Sequence, residues 1–497
     1  MTNAFDPTFH NGIPTYSLNM PGLCTGTLVF AVGSRDEPAA LSGITHLVEH
    51  ILLHVLHPIS LHHGAKVDVD SVEFHATGHS EEIGEFFNSL ADAIANFSDI
   101  SEQAIQLEKS VVEAENPDAF HDISIGMLTY RYGASGPGIS QIGAPSTADF
   151  GREELQDWVQ RWFIRTNAAL TFTGAIPVGL DVELPSGPAI TRSNHVQMIA
   201  APTLFRSDKE GVALSLVVPT ELAAFLGEAL RYELLNRLSH VQGLIYSVEV
   251  IRTLIESRWS QLDLVLDPVD VNVRTVFTEA VNAVRSVAEI GFGDQAISAA
   301  RRIIEVELAW DEKSTAISYL EDLALSQLLG RVHFSPNEMI DRTATYAPAD
   351  LVPVLQEAMT TLVVAVDGSA GVKKKDAKAL GMHLDDFNIW QSAPGKKAEV
   401  DSALGVDAHR VWRHKYSEEL VWLTATHLWR RNQGKTKCIA FADVVLIGAR
   451  ECGCVTIVDV RGRNDVLSTE EWKKGKKLHA TLLSSFPDDL VRRFPEM

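Results

Sequence analysis

Hydrophobic residues follow two periods along this chain, and the alternation between them lays out its elements. Thr25 to Gly33 is a near-continuous apolar run between turn formers, the pattern of a buried strand. A short loop, Ser34 to Pro38, leads into an apolar stretch from Leu41 to Leu56 that has no internal proline and predicts a helix, with Pro58 as its stop. Gly64 to Thr77 alternates as a strand pair, and Ile83 to Phe97 returns to helical spacing. Ser101-Glu-Gln then opens another helix with an N-cap and an acidic first turn, closing at Asn116-Pro117. The glycine-rich segment Gly133 to Gly143 lacks the Gly-Lys-Ser/Thr ending of a phosphate loop. It precedes a helix from Glu153 to Phe163 and a closing core strand from Asn167 to Gly174.

After a Pro- and Gly-rich linker over 177–194, the pattern restarts at His195. Ala213 to Pro219 reads as a strand, Leu222 to Leu238 as a helix, and Gly243 to Ile251 as a turn and strand. Helices are expected at 270–290 and 294–328, and a strand at Thr361 to Asp367. This repeats the first half in order and length. A polar link begins near Lys373, and beyond it come short strands at 421–426, 437–442, 444–447 and 454–460, with a helix at 469–483. The reading is an α+β chain: residues 1–180 and 195–370 as two tandem homologous α/β-sandwich domains, 371–402 as a linker, and 403–497 as a small, mostly-β, barrel-like domain ending in a helix.

At 497 residues and 45% hydrophobic content, the chain can bury several domain-sized cores. Its net charge of -22 argues against nucleic acid as a partner, because phosphate binding needs a cationic face. The balance is uneven: residues 403–497 carry +4 and the remainder -26. Within the tail, Lys473-Lys-Gly-Lys-Lys477 is suited to a weak anionic lipid or protein contact, though such a run is ordinarily a solvated helix face. The four cysteines, Cys24, Cys438, Cys452 and Cys454, are too few and too unevenly placed for a disulfide framework. Neither a signal-peptide pattern nor an apolar run of membrane-spanning length is present, so a cytoplasmic protein is expected.

The chemistry concentrates in His46-Leu-Val-Glu-His50. On a helix, His46 and His50 lie one turn apart on one face, where two imidazoles can grip one metal ion, and Glu49 sits beside them. Hydrolytic zinc needs a third protein ligand and an open fourth position. Glu108 and Glu115, two turns apart on the next-but-one helix, face the same way. His46, His50 and Glu115 are therefore read as zinc ligands, Glu49 as general base, and Glu108 as support behind the ligands. His50 and His54 form a rival pair, but no glutamate lies between them.

The order His-x-x-Glu-His is the inverzincin signature. Gly43 to His50 followed by Glu108 to Glu115 resembles the pitrilysin, insulinase and mitochondrial processing peptidase family, with a gap shortened between His57 and Gly64. The resemblance implies a duplicated fold with one metal-bearing half and an edge strand that holds extended substrate. Asp68-Val69 stands where the family has Asn-Ala, and is the expected substrate contact. The family's second half offers an Arg and a Tyr spaced seven residues apart. Tyr246 fits the Tyr, as a transition-state donor, but Ser239 occupies the Arg position and Arg237 lies two residues from it. The last region resembles a pleckstrin-homology-like domain in architecture.

These features imply a zinc metallopeptidase acting on short or unfolded peptides. Two such domains cannot enclose a chamber alone, so a homodimer or a heterodimer with a related subunit is expected. The rival is a non-catalytic scaffold or partner-binding subunit that keeps zinc for structure, a role in which Glu49 has no use.

Overall fold

A computed structural model describes residues 6–56, 60–115, 123–144, 146–192, 197–269, 273–309, 312–392 and 411–494. Pro58, Asn116-Pro117, His195 and the linker residues beyond 392 lie outside these. The first unit is a six-stranded sheet backed by helices. Its elements are β1 (Thr8–His10), β2 (Ile13–Ser17), β3 (Cys24–Phe30), α1 (Ile44–His54), β4 (His62–Val67), β5 (Val72–Gly78), α2 (Ser80–Ala95), α3 (Glu102–Glu115), α4 (Gly126–Tyr132), α5 (Arg152–Trp162) and β6 (Ala168–Phe172). The sheet order is β1-β2-β6-β3-β5-β4. One face packs Leu28, Phe30, Phe74 and Phe172 against Leu47, Ile51, Phe87, Leu90 and Trp162, and β3, inside the sheet, is buried at every position. The segment after β6, expected as a linker, is docked: Val182 and Leu184 join this core.

The second unit contains β7 (Thr203–Ser207), β8 (Val212–Pro219), α6 (Thr220–Leu234), β9 (Ile245–Glu256), β10 (Trp259–Pro268), α7 (Val273–Ile290), α8 (Asp294–Ala309), α9 (Glu312–Leu329), α10 (Pro336–Thr345), α11 (Pro348–Met359), β11 (Val363–Asp367), α12 (Lys374–Ala379) and β12 (His383–Asp385). Its sheet order is β12-β7-β11-β8-β10-β9. Strand by strand, β7, β11, β8, β10 and β9 repeat β2, β6, β3, β5 and β4, including the parallel pair β7/β11 against β2/β6. The two units are thus topological copies. Two expectations change. The single helix read over 294–328 is two helices, and residues 374–385, read as linker, supply α12 and the edge strand β12, which pairs in parallel with β7.

The split has a physical purpose, because the two units exchange helices. From the first unit, α4 lays Met127 and Tyr130 on Phe205, Ala213, Val363 and Ala365 of the second sheet. From the second, α9 lays Leu320 and Ala324 on Tyr16, Val29 and Ala169 of the first. Arg131 on α4 is fully buried and donates to Gln261 Oε1 at 2.9 Å, Thr361 O at 2.7 Å and Ser215 Oγ at 2.9 Å, all in the second unit.

The last region forms two sheets and a helix. One has the order β13 (Gln391–Ser392), β17 (Lys435–Ala440), β16 (His427–Asn432), β15 (Leu420–Leu423), β14 (Val411–Arg413); the other β20 (Asn464–Ser468), β19 (Cys454–Asp459), β18 (Val444–Ala449), β21 (Val491–Arg493). Leu478 and Leu482 of α13 (Gly475–Leu483) share a core with both. The expected barrel is corrected to a two-layer arrangement: among the described residues no strand ladder joins the sheets, and α13 plugs the space between them. No described helix is long and apolar enough to cross a membrane.

Candidate metal centre

Helix α1 starts at Gly43, which has a φ of 93° and no room for a side chain, since a Cβ there would run into Ala144. The buried Glu37 carboxylate accepts from the main-chain N–H groups of Gly43 at 2.7 Å and Thr45 at 2.9 Å, satisfying donors that the first turn leaves open. Burial pushes the Glu37 carboxyl up to about 7 against those hydrogen bonds. Leu47, Val48, Ile51 and Leu52 turn into the core, so the partly exposed side of α1 presents His46, His50 and His54. Helix α3 packs across it with Ile105, Glu108 and Val112 buried.

Three donor atoms converge between these helices. His46 Nε2 and His50 Nε2 are 3.2 Å apart, and Glu115 Oε2 lies 3.1 Å from His50 Nε2 and 3.9 Å from His46 Nε2. Among the described residues, this is the group of three or more His, Cys, Asp or Glu placed to hold a metal ion. Tetrahedral zinc with ligands at about 2.0–2.1 Å separates neighbouring donors by about 3.3 Å, so the donor set fits the ion in type and in spacing. Glu108 sits behind it: Oε2 is 3.2 Å from His50 Nδ1 and Oε1 is 2.8 Å from His54 Nδ1. His54 is therefore turned to Glu108 and not toward a shared metal position with His50. A carboxylate on Nδ1 fixes the ring so that Nε2 faces the donor cluster.

Glu49 Oε2 lies 3.7 Å from His46 Nε2 and 4.0 Å from His50 Nε2. The residue is only 6% exposed. Burial, reinforced by Glu115 and Glu108 and opposed by His50, pushes its carboxyl up to about 7. Burial and the neighbouring His50 lower the His46 pKa, with Glu115 pulling the other way. A neutral imidazole is what a metal ligand requires.

The cluster opens on a cleft of about 460 Å³ walled by His46, Glu49 and Val112 on one side and by β4 on the other, with Ile139, Gly143 and Ala144 also lining it. Asp68 and Val69 line it, but their main-chain groups are engaged. Asp68 N–H donates to Ser71 O, Val69 N–H to Asp68 Oδ1, and their carbonyls accept from Ser34 and Arg35. They belong to the four-residue turn, 68–71, between β4 and β5, which leaves the edge of the sheet at Ala65 and Val67. The next residue, Asp70, is buried in an ionic hub with Arg35 at 2.6 Å, Arg331 of the second unit at 2.8 Å and Arg192 at 3.4 Å. Burial alone raises its pKa, but the three guanidiniums outweigh that and hold it below the usual carboxylate range.

Neither Tyr246 nor Arg237 lines this cleft. Tyr246 stands 69% exposed at the start of β9, the far edge of the second sheet. Arg237 is paired with Glu233 at 3.2 Å, within the π-helical turn Leu235–Val241 that follows α6. Sequence reasoning missed Glu37, Asp70 and Arg331. Glu37 lies in the noted loop before α1, but only its return to Gly43 and Thr45 reveals a role, and Arg331 has no local signal at all.

No family model and no curated protein matches the chain. Solved structures do. A chain of complex III2 from Candida albicans, Inz-5 bound, superposes with a TM-score of 0.62 at 13% identity, covering 73% of this chain and 95% of that one. The first half of the periplasmic protease PqqL from Escherichia coli gives 0.57 at 16% identity, over 76% and 95%. The peptidase M16 inactive domain from Pseudomonas fluorescens gives 0.59 at 12% identity, over 73% and 98%. The fold is that of the M16 peptidases. At such identities the likeness carries the fold alone, and it includes a protease and an inactive domain side by side. Chemistry has to be argued from the residues.

Proposed function

We propose that this chain is the zinc-bearing subunit of a metallopeptidase that hydrolyses short or unfolded peptides. The observation that carries the reading is Glu49 Oε2 at 3.7 Å from His46 Nε2, beside a donor set of two imidazoles and a carboxylate spaced for zinc. When bound, zinc lowers the pKa of its water and polarises a scissile carbonyl. Glu49 Oε2 takes a proton from the attacking water and returns it to the leaving nitrogen, a role favoured by a carboxyl near neutrality. Glu108 holds His50 through Nδ1. The free edge of β4 at Ala65 and Val67 hydrogen-bonds an extended peptide through main-chain groups, so the Asn-Ala to Asp68-Val69 change does not remove this contact. A related second chain closes the chamber and supplies the cation that Arg237, away from this cleft, does not supply here. The last region, two sheets of five and four strands with a helix between them, is proposed as pleckstrin-homology-like.

Metal analysis tests the core of this. One zinc per chain is expected in the purified protein, and a large loss in His46→Ala. Glu49→Gln should keep zinc and lose peptide cleavage; retained cleavage would defeat the mechanism. The placement of Tyr246 and Arg237 away from the cleft favours a second reading, a scaffold subunit with a structural metal. Zinc bound with no cleavage, alone or mixed with a related subunit, would select that reading.

A further inference from the structure

The last region has no counterpart in a two-unit peptidase fold, yet it is not a loose appendage. Its sheet β20-β19-β18-β21 meets the first unit at three places. Leu446, Val458 and Phe494 pack with Ala39 and Ala40, which lead into α1, and with Ala134 and Ile139, the latter a wall of the metal cleft. Arg492 donates to Glu154 Oε1 at 2.6 Å and Arg493 N–H to Asp149 Oδ2 at 3.0 Å. The segment they hold is also gripped from α3, where the buried Lys109 donates to Ala148 O at 3.2 Å and Phe150 O at 2.5 Å. Lys109 is the neighbour of Glu108 and lies on the helix that ends in Glu115. Third, Ala134 N–H donates to Val460 O at 2.9 Å, where Gly133 and Gly462 let the two backbones approach. A Cβ on Gly133 would strike Val460 O, and one on Gly462 would strike Thr129. Paired glycines, a shared apolar cluster and an ion pair mark a built seam.

We propose that this sheet braces the metal cleft. Through Phe494 it fixes the approach to α1, and through Arg492 it fixes the segment that supports α3, so one surface sets the spacing of the two helices that carry the metal donors. Phe494 and Arg492 are positioning residues; neither touches the site. The inference rests on the zinc-peptidase reading only for what the cleft is used for.

Hydrogen exchange on the full chain tests the brace without recourse to activity. In the double variant Phe494→Ala, Arg492→Glu, amides in 39–54 and 102–115 should exchange faster, while β7 to β11 keep their protection. Zinc affinity, read against a competing chelator, should weaken about tenfold, the cost typical of losing support behind metal ligands. The conservative pair Phe494→Leu, Arg492→Lys should restore both. If the double variant loses protection in β7 to β11 as well, it has unfolded, and the single Arg492→Gln variant is read in the same way. Faster exchange at 129–150 with α1 and α3 unchanged would overturn the brace. No change anywhere would overturn the assignment to Phe494 and Arg492. A chain that binds no zinc would count against the proposed function, while the exchange result would still decide the brace.

Discussion

Glu49 shows how burial and chemistry meet in one residue. An ionised carboxylate is costly when buried beside two other carboxylates, Glu115 and Glu108, and its pKa rises to about 7. A general base works when ionised, so cleavage should fall as pH drops below that value, with a bound dication moving the limb to lower pH. The measurement is kcat/KM against pH. Glu49→Gln should reduce cleavage by about 10²–10⁴-fold, the range general-base catalysis supplies. At this scale the sequence was legible where geometry is local. Four-residue spacing puts His46 and His50 on one face, and seven-residue spacing puts Glu108 and Glu115 on another, whatever the rest of the chain does. Arg237 and Tyr246 depend on how two units face each other, which no local spacing encodes. Asp68 and Val69 are an intermediate case. Their place at the cleft was readable, but that a tight turn uses their main-chain groups was not.

At the scale of elements, the turn between β4 and β5 is the joint on which the cleft depends. It carries Asp68 and Val69 into the cleft and Asp70 into the hub with Arg35, Arg192 and Arg331. Removing Asp70 takes from Arg35 and Arg331 their carboxylate partner and leaves Arg192 with Asp36. Asp70→Asn should therefore cost about 3–5 kcal/mol of stability, as when one partner of a buried ion pair is lost. The pH dependence has a definite sign. A carboxyl held below its unfolded pKa of about 3.9 contributes stability that is fully present above that pH and lost as pH falls through the folded value. Thermal melts of the wild type should lose stability steeply below pH 4, and Asp70→Asn should flatten that loss. An unaltered acid limb would remove Asp70 from the explanation. Elements were readable from period, as α1 and β3 show. The separation of α8 from α9 was not, because it follows from tertiary packing: α8 packs in its own unit's core and α9 on the first sheet.

On the scale of the whole molecule, the two topological copies are bound by exchanged helices, so neither sheet is covered by its own unit alone. The duplication was legible as a repeated pattern; the exchange was not, since α9 reads from sequence as a continuation of its own unit. Its consequence can be measured. Leu320 belongs to the second unit by sequence, is 1% exposed, and packs with Tyr16, Val29 and Ala169 on β2, β3 and β6 of the first. Leu320→Ala should cost about 2–5 kcal/mol, the range for a buried leucine whose site cannot fully collapse. If each unit were covered by its own helices, the loss would appear in the second unit's amides. With the exchange, it should appear first in β3 and β6, some hundred and fifty residues or more away in the chain and next to the metal helix. Native-state hydrogen exchange reads this residue by residue. Protection lost in β8 and β10, with β3 and β6 unchanged, would mean that α9 does not hold the first sheet and that the two units are stabilised separately.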